Sequence, residues 1–154
     1  MLIYGLMKYI EKIPARYDRM MNFLTFGGHG RSQKIIMSTI SDGMRVLDIG
    51  CGSGALAVKC AEAGAEVVAV DSSSQMLSIL KSRIRGAKFE KRIAAVECGS
   101  ASVDIILKGR QFDVVIMSMM LGELSPVVRA KTLKSAAALL SENGIIIICD
   151  ELWP

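Results

Sequence analysis

The stretch Val46–Ala55 reads VLDIGCGSGA. An apolar run ends in three glycines at alternate positions, Gly50, Gly52 and Gly54, and Asp48 stands two residues before the first. A β-branched run that closes in a glycine-rich turn and opens into a helical pattern is the strand–turn–helix unit of open α/β sheets. Ligands bind there beyond the carboxyl ends of the strands. Glycine lets the backbone approach a ligand and adopt angles that other residues avoid.

Working outward, the chain alternates regularly. Short β-branched runs at 45–49, 66–71, 92–97, 112–117 and 144–149 are separated by helical patterns near 54–63, 74–85, 100–108 and 126–140. FDVVIM and GIIIICD are apolar on both faces, as strands of a covered parallel sheet are. This alternation predicts an α/β fold, a doubly wound, mainly parallel sheet of about five strands. Residues 1–40 form a helical, amphipathic N-terminal segment interrupted by Pro14 and jointed at Gly27, Gly28 and Gly30, and residues 41–154 form the α/β domain.

Composition narrows the partners. The 154 residues are 51% hydrophobic, which marks a globular chain. A net charge of +4 is too mild to argue for nucleic acid. The basic cluster Lys81, Arg83, Arg85, Lys88, Lys91 and Arg92 reads as a solvated helix end and loop. The four cysteines, Cys51, Cys60, Cys98 and Cys149, form no CxxC pair, and the single histidine, His29, has none near it. Neither zinc nor a disulfide framework is indicated, which suggests reduced thiols and a cytoplasmic location. The start MLIYGLMKYI lacks the features of a signal peptide, and no apolar run reaches membrane-spanning length.

Two cofactors compete for the glycine turn. Gly50, Gly52 and Ala55 satisfy a loose GxGxx(G/A) dinucleotide pattern, with Asp71 about 20 residues on where a ribose-binding acid belongs. S-adenosylmethionine also has a ribose, but it carries an ammonium and a sulfonium where a dinucleotide carries pyrophosphate. A carboxylate such as Asp48, pointing into the turn, repels pyrophosphate and favours the cationic end. Gly54 also suits the second cofactor better. The residues favour S-adenosylmethionine.

VLDIGCGSGALAV, EVVAVDSSSQML, FDVVIMSMM and LLSENGIIIICDE resemble, in order and spacing, four successive motifs of class I S-adenosylmethionine-dependent methyltransferases, over roughly residues 44–151. By that resemblance Asp48, Gly50, Gly52 and Gly54, with Cys51 among them, surround the methionine moiety. Asp71 takes both ribose hydroxyls, with Ser72 and Met76 nearby. Ser100, next to Ala101, replaces the acid that accepts from the adenine amino group, and Ser118 closes the expected cofactor-binding set. The plainer readings are a helix cap for Ser72–Ser74, core or pocket packing for Met76, Met117, Met119 and Met120, and space filling for Cys51.

The N-terminal segment, LGELS at 121–125 and the closing DELWP resemble a corrinoid-protein-associated methyltransferase subgroup, which implies a small-molecule or corrinoid-protein acceptor. RYDRMMNFLTFGGHGRSQK also resembles the entry segment of quinone-ring C-methyltransferases, through Tyr17, Asp18, Asn22, Gly27 and His29. A helix there forms a lid or a plain packing element. MSMML after the fourth strand lacks the Asn/Asp-Pro-Pro-aromatic clamp that stacks a flipped base, which argues against a nucleobase target. No catalytic residue is identified; Glu123, His29 and Asp18 are the nameable bases.

The family resemblance implies seven strands, and the sequence supplies about five. The last family strands are missing beyond CDELWP, through trimming, a natural short form, or completion by a partner or second copy at an exposed fifth-strand edge. The readings that stand are an active methyltransferase, a cofactor-binding but inactive fragment or partner subunit, and, distantly, a nicotinamide-dependent reductase.

Overall fold

The computed structural model describes residues 28–150, with side chains from residue 30 onward. The N-terminal pattern before residue 28, the His29 side chain and the closing residues 151–154 lie outside the described residues. The chain divides into two units at Thr39 and Ile40. In the first, the described element is helix α1, Gly28–Met37.

The second unit is a five-stranded sheet with helices on both faces. Its elements are β1 (Arg45–Ile49), α2 (Ala55–Glu62), β2 (Glu66–Asp71), α3 (Ser74–Ile84), β3 (Ile93–Glu97), α4 (Val103–Ile106), β4 (Phe112–Ser118), α5 (Pro126–Ala138) and β5 (Leu140–Cys149). All four strand pairings are parallel, in the order β3-β2-β1-β4-β5. The doubly wound parallel sheet expected from the alternation is therefore the observed fold. From β1 the chain steps outward through β2 and β3, then crosses back to β4 on the other side. The topological switch point lies between β1 and β4, where a crevice opens at the carboxyl ends.

Burial explains why these runs are strands. Val46, Leu47, Asp48 and Ile49 of β1 are all buried, because a central parallel strand is covered on both faces. On one face Leu47, Ile49, Val68, Val70, Val115 and Met117 pack with Val103, Leu107, Leu121, Ala136 and Leu139. The other face is covered by Leu56, Ala57 and Cys60 of α2 and by Met76, Leu77 and Leu80 of α3. Each such large side chain contributes about 1.5–3 kcal/mol on burial. Among the described residues no helix is long and apolar enough to cross a membrane.

The largest departures from the sequence reading lie in two regions. The helix expected over 100–108 is a 3-10 turn at Ser100–Ser102 followed by α4. Strand β5 begins at Leu140 rather than at residue 144, and α5 stops at Ala138. Phe112 pairs with Leu140 but Val114 pairs with Ile145, so residues 141–144 are taken up as a bulge opposite Asp113. The polar SENG run falls where the expected helix gives way to the expected strand, yet it is held against the sheet. Asp113 accepts from the Arg45 backbone N–H at 2.9 Å, from its guanidinium at 2.6 and 3.1 Å, and from the Ser141 hydroxyl at 3.1 Å. The Arg45 guanidinium and N–H hold the Asp113 carboxyl well below the usual carboxylate range. One side chain thus ties together the starts of β1, β4 and β5.

The basic cluster flanks the end of α3 and the following turn, and none of its residues is buried. Arg92 donates to the Gly64 carbonyl at 2.6 Å and pairs with Glu66 at 3.1 Å.

At the bulge, a Cβ on Gly144 would stand 2.8 Å from the Phe112 carbonyl oxygen, whereas one on Gly99 meets nothing within 4 Å. Gly144→Ala is expected to lower stability by about 1–3 kcal/mol through overpacking against backbone, while Gly99→Ala leaves it within error or raises it slightly. Urea denaturation checks both, and equal midpoints for the two variants would contradict the bulge geometry.

Candidate functional site

The crevice is built first by backbone. Gly50 and Cys51 both donate their N–H groups to the Val70 carbonyl, at 2.8 and 2.9 Å, which folds the turn after β1 over the end of β2. Gly50, Gly52 and Gly54 sit at φ of 74°, 53° and 77°. This left-handed region is costly for residues with a Cβ. Space adds a second demand at two of them. A Cβ on Gly54 would run into the Leu80 side chain, and one on Gly50 would stand 3.0 Å from Cβ and Cγ of Met120. Around Gly52 the space is open.

Asp71, at the end of β2, binds the turn to the next loop. One carboxylate oxygen accepts from the Gly52 N–H and the other from the Ser73 N–H, both at 2.8 Å. Each oxygen keeps lone-pair capacity for a further donor. Nothing in the sequence announces the Asp71–Gly52 bond, nineteen residues apart.

Asp48 lies beneath the turn at 2% exposure, and its Oδ2 has no hydrogen-bond partner. Burial, helped by repulsion from Asp71, pushes its carboxyl up to about 7. Its register partner on β4 is Ile116. Ser118, two residues further, therefore shares the face that Asp48 occupies, and its hydroxyl is also buried without a partner. Two orphaned polar groups at one strand junction mark a place that wants a ligand or an ordered polar partner.

The other expected positions are placed as follows. The Cys51 thiol is pushed far up by burial and by Asp48 and Asp71, so it is a poor nucleophile and fills space. Cys60 on α2 is likewise pushed up to about 12, chiefly by burial. Ser73, not Ser72, caps α3, its hydroxyl accepting from the Met76 N–H at 3.3 Å; Ser72 is exposed, and Met76 is buried under α3. Ser100 and Ala101 occupy the 3-10 turn after β3 and are engaged by α5. The Ser100 hydroxyl is 2.8 Å from that of Thr132, and the Ser135 hydroxyl donates to the Ala101 carbonyl at 3.3 Å. Thr132 and Ser135 form a buried polar face of α5 that periodicity in apolar residues cannot reveal.

The run MSMML at 117–121, read as core or pocket packing at its methionines, divides between the two. Met117 is fully buried and Leu121 nearly so, both in the sheet core, because they alternate inward. Met119 and Met120 are partly buried, and Met120 packs against both that core and Gly50. Glu123 stands exposed on the 3-10 turn Leu121–Glu123.

Taken together, the crevice holds two neighbouring acids, a left-handed glycine turn and two unpartnered oxygens. It suits a cationic group and hydroxyl donors and disfavours phosphate. An open cavity of about 580 Å³ lies away from these residues, lined by Asp104, Lys108, Arg110 and Leu139 among others. Among the described residues no group of side chains has the makings of a metal site.

Known proteins resemble this chain over much of its length. The chain is 28% identical, over all of its length and 64% of the relative's, to a demethylmenaquinone methyltransferase of Tropheryma whipplei. It is 40% identical to a cypemycin N-terminal methyltransferase of a Streptomyces species, over 71% of this chain and 42% of that one. The structure of the glycopeptide N-methyltransferase MtfA complexed with S-adenosylmethionine superposes with a TM-score of 0.68 at 21% identity, covering 79% of this chain and 53% of the other. The chain thus spans between two-fifths and two-thirds of these proteins' lengths. The family model described as a methyltransferase domain matches residues 46–144, and the chain belongs to that family.

Proposed function

We propose that this chain carries the donor-binding part of an S-adenosylmethionine-dependent methyltransferase that acts on a small molecule. The single observation that supports it most is the buried, unpartnered Asp48 oxygen beneath a left-handed glycine turn. The residues fit the cofactor. Asp48 and Ser118 would receive the ammonium of the methionine moiety, the open side of Gly52 would give it room, and the remaining lone pairs of Asp71 would take ribose hydroxyls. Ser100 with Ala101 would border the adenine. When bound, the cofactor supplies an electrophilic methyl group, which an acceptor's electron pair displaces while the C–S electrons return to sulfur. The protein's share is alignment of acceptor and methyl, and exclusion of water.

The acceptor is the finer part of the proposal. A corrinoid-linked acceptor and a quinone ring are the two specific readings. A relative that aligns with this whole chain is named for demethylmenaquinone, which supports the quinone reading. Residues 1–40 would serve as a lid over donor and acceptor. Strand β5 ends the described sheet, with Ile145 and Ile148 about half exposed. Its outer edge is where a second copy or a completing partner would pair. A cofactor-binding but inactive partner subunit remains the second reading for the chain alone, which turnover with and without added C-terminal sequence separates from an active enzyme.

Calorimetry with S-adenosylhomocysteine and with NADH tests the donor. The expected result is binding of the first only, weakened about 10–100-fold at pH 8 in Asp48→Asn, the range for losing a charge-assisted hydrogen bond. NADH binding, or an unchanged affinity in the variant, would contradict the proposal.

Asp48 also predicts a pH signature in the ligand-free protein. Its folded carboxyl is raised to about 7. Its stability contribution is therefore full below the ordinary carboxylate value and is lost as pH rises through 7. In urea denaturation, Asp48→Asn should gain stability relative to wild type as pH rises from about 4 to about 7, and the difference should level off above that. A pH-independent difference between the two would show that the acid is not desolvated.

A further inference from the structure

The chain leaves β4 through an unusual turn. Met119 is the one non-glycine residue at positive φ among those described, at 56°. It is fixed there by its N–H, which donates to the Cys149 carbonyl at 2.7 Å. This reversal drops Met120 over the glycine turn, its side chain running from Cβ to Cε along the Gly50 surface. A non-glycine residue held in the left-handed region stores backbone strain, and it persists only where the surroundings over-determine it.

The surroundings do so. The Arg129 guanidinium of α5 donates from Nε to the Leu121 carbonyl at 3.0 Å and from its terminal nitrogen to the Leu124 carbonyl at 3.2 Å, gripping both ends of the 3-10 turn. From the other side, the Asp150 carboxylate accepts from the Gly122 N–H at 2.9 Å. A guanidinium and a carboxylate thus clamp the loop that carries Met120. Met120 therefore covers this side of the glycine turn, and the clamp holds it there.

We infer that Met120 is a specificity-determining residue of the donor site, limiting the size of the group carried on the donor's sulfur, and that Arg129 and Asp150 are the positioning residues that hold it there. This rests on the donor reading above. A thioether side chain is well suited to such a wall, being unbranched, polarizable and able to conform to a bound shape. Arg129 and Asp150 hold the loop by its backbone, and through it they position Met120.

The test compares two donors by calorimetry, S-adenosylmethionine and its S-ethyl homologue, and reads the ratio of their dissociation constants. Wild type should prefer the methyl form. Met120→Ala should narrow that preference by about tenfold, the scale of one methylene in an apolar pocket, and Met120→Phe should widen it. Met120→Leu, which keeps most of the bulk, should fall between wild type and alanine. Arg129→Ala should narrow the ratio in the same direction as Met120→Ala, a change that simple destabilisation of the fold does not produce, since both donors need the same fold. S-adenosylmethionine bound by Met120→Ala with the ratio unmoved overturns this inference and leaves the donor reading standing. Failure of the wild-type chain to bind S-adenosylmethionine overturns the donor reading, and this inference falls with it.

Discussion

A carboxylate buried under a glycine turn, with one oxygen unsatisfied and another acid beside it, is the constraint on which the site depends. Raising Asp48 from its ordinary value of 3.8 to about 7 corresponds to a penalty on the order of 4 kcal/mol on its charged form. Valine or leucine at that position would fit a covered parallel strand without such cost, as Leu47 and Ile49 do on either side. A residue that opposes folding in the ligand-free state gains its favourable term only when a positive partner arrives. That asymmetry separates a donor with a cationic end from one with a diphosphate.

The rest of the unit keeps this acid where it is. The sheet core fixes β1 between β2 and β4, and Asp113 secures the opposite ends of β1, β4 and β5 through Arg45 and Ser141. Asp71 draws the glycine turn and the α3 cap onto one carboxylate. The left-handed turn of Gly50, Gly52 and Gly54 and the strained Met119 lie at the carboxyl ends of the strands, while the Arg45–Asp113 ion pair lies at their amino ends. The division follows a general logic in which rigid elements support a crevice made of loops.

Much of this was legible in the sequence. The runs at 45–49 and 66–71 match their strands at both ends, because a parallel strand buried on both faces must be apolar throughout and glycine or polar residues punctuate it sharply. Gly50, Gly52 and Gly54 were legible for a related reason, since left-handed backbone after a strand calls for glycine. Local patterns were less informative where tertiary contacts decide. SENG carries turn chemistry but is pulled into β5 by Asp113. The MSMML run is uniformly apolar, and only the strand's alternation sends Met117 to the core and the kink at Met119 sends Met120 to the crevice. The Ser100–Thr132 and Asp71–Gly52 contacts join residues far apart in sequence, and neither residue type nor spacing foretells them.

The most direct measurement is an NMR titration of the Asp48 side-chain carboxyl, alone and with S-adenosylmethionine bound. The account predicts a midpoint near 7 in the free protein that falls by at least one pH unit with the donor, as a neighbouring positive charge stabilises the ionised form. A midpoint in the ordinary carboxylate range without ligand, or one that the donor leaves in place, would contradict it.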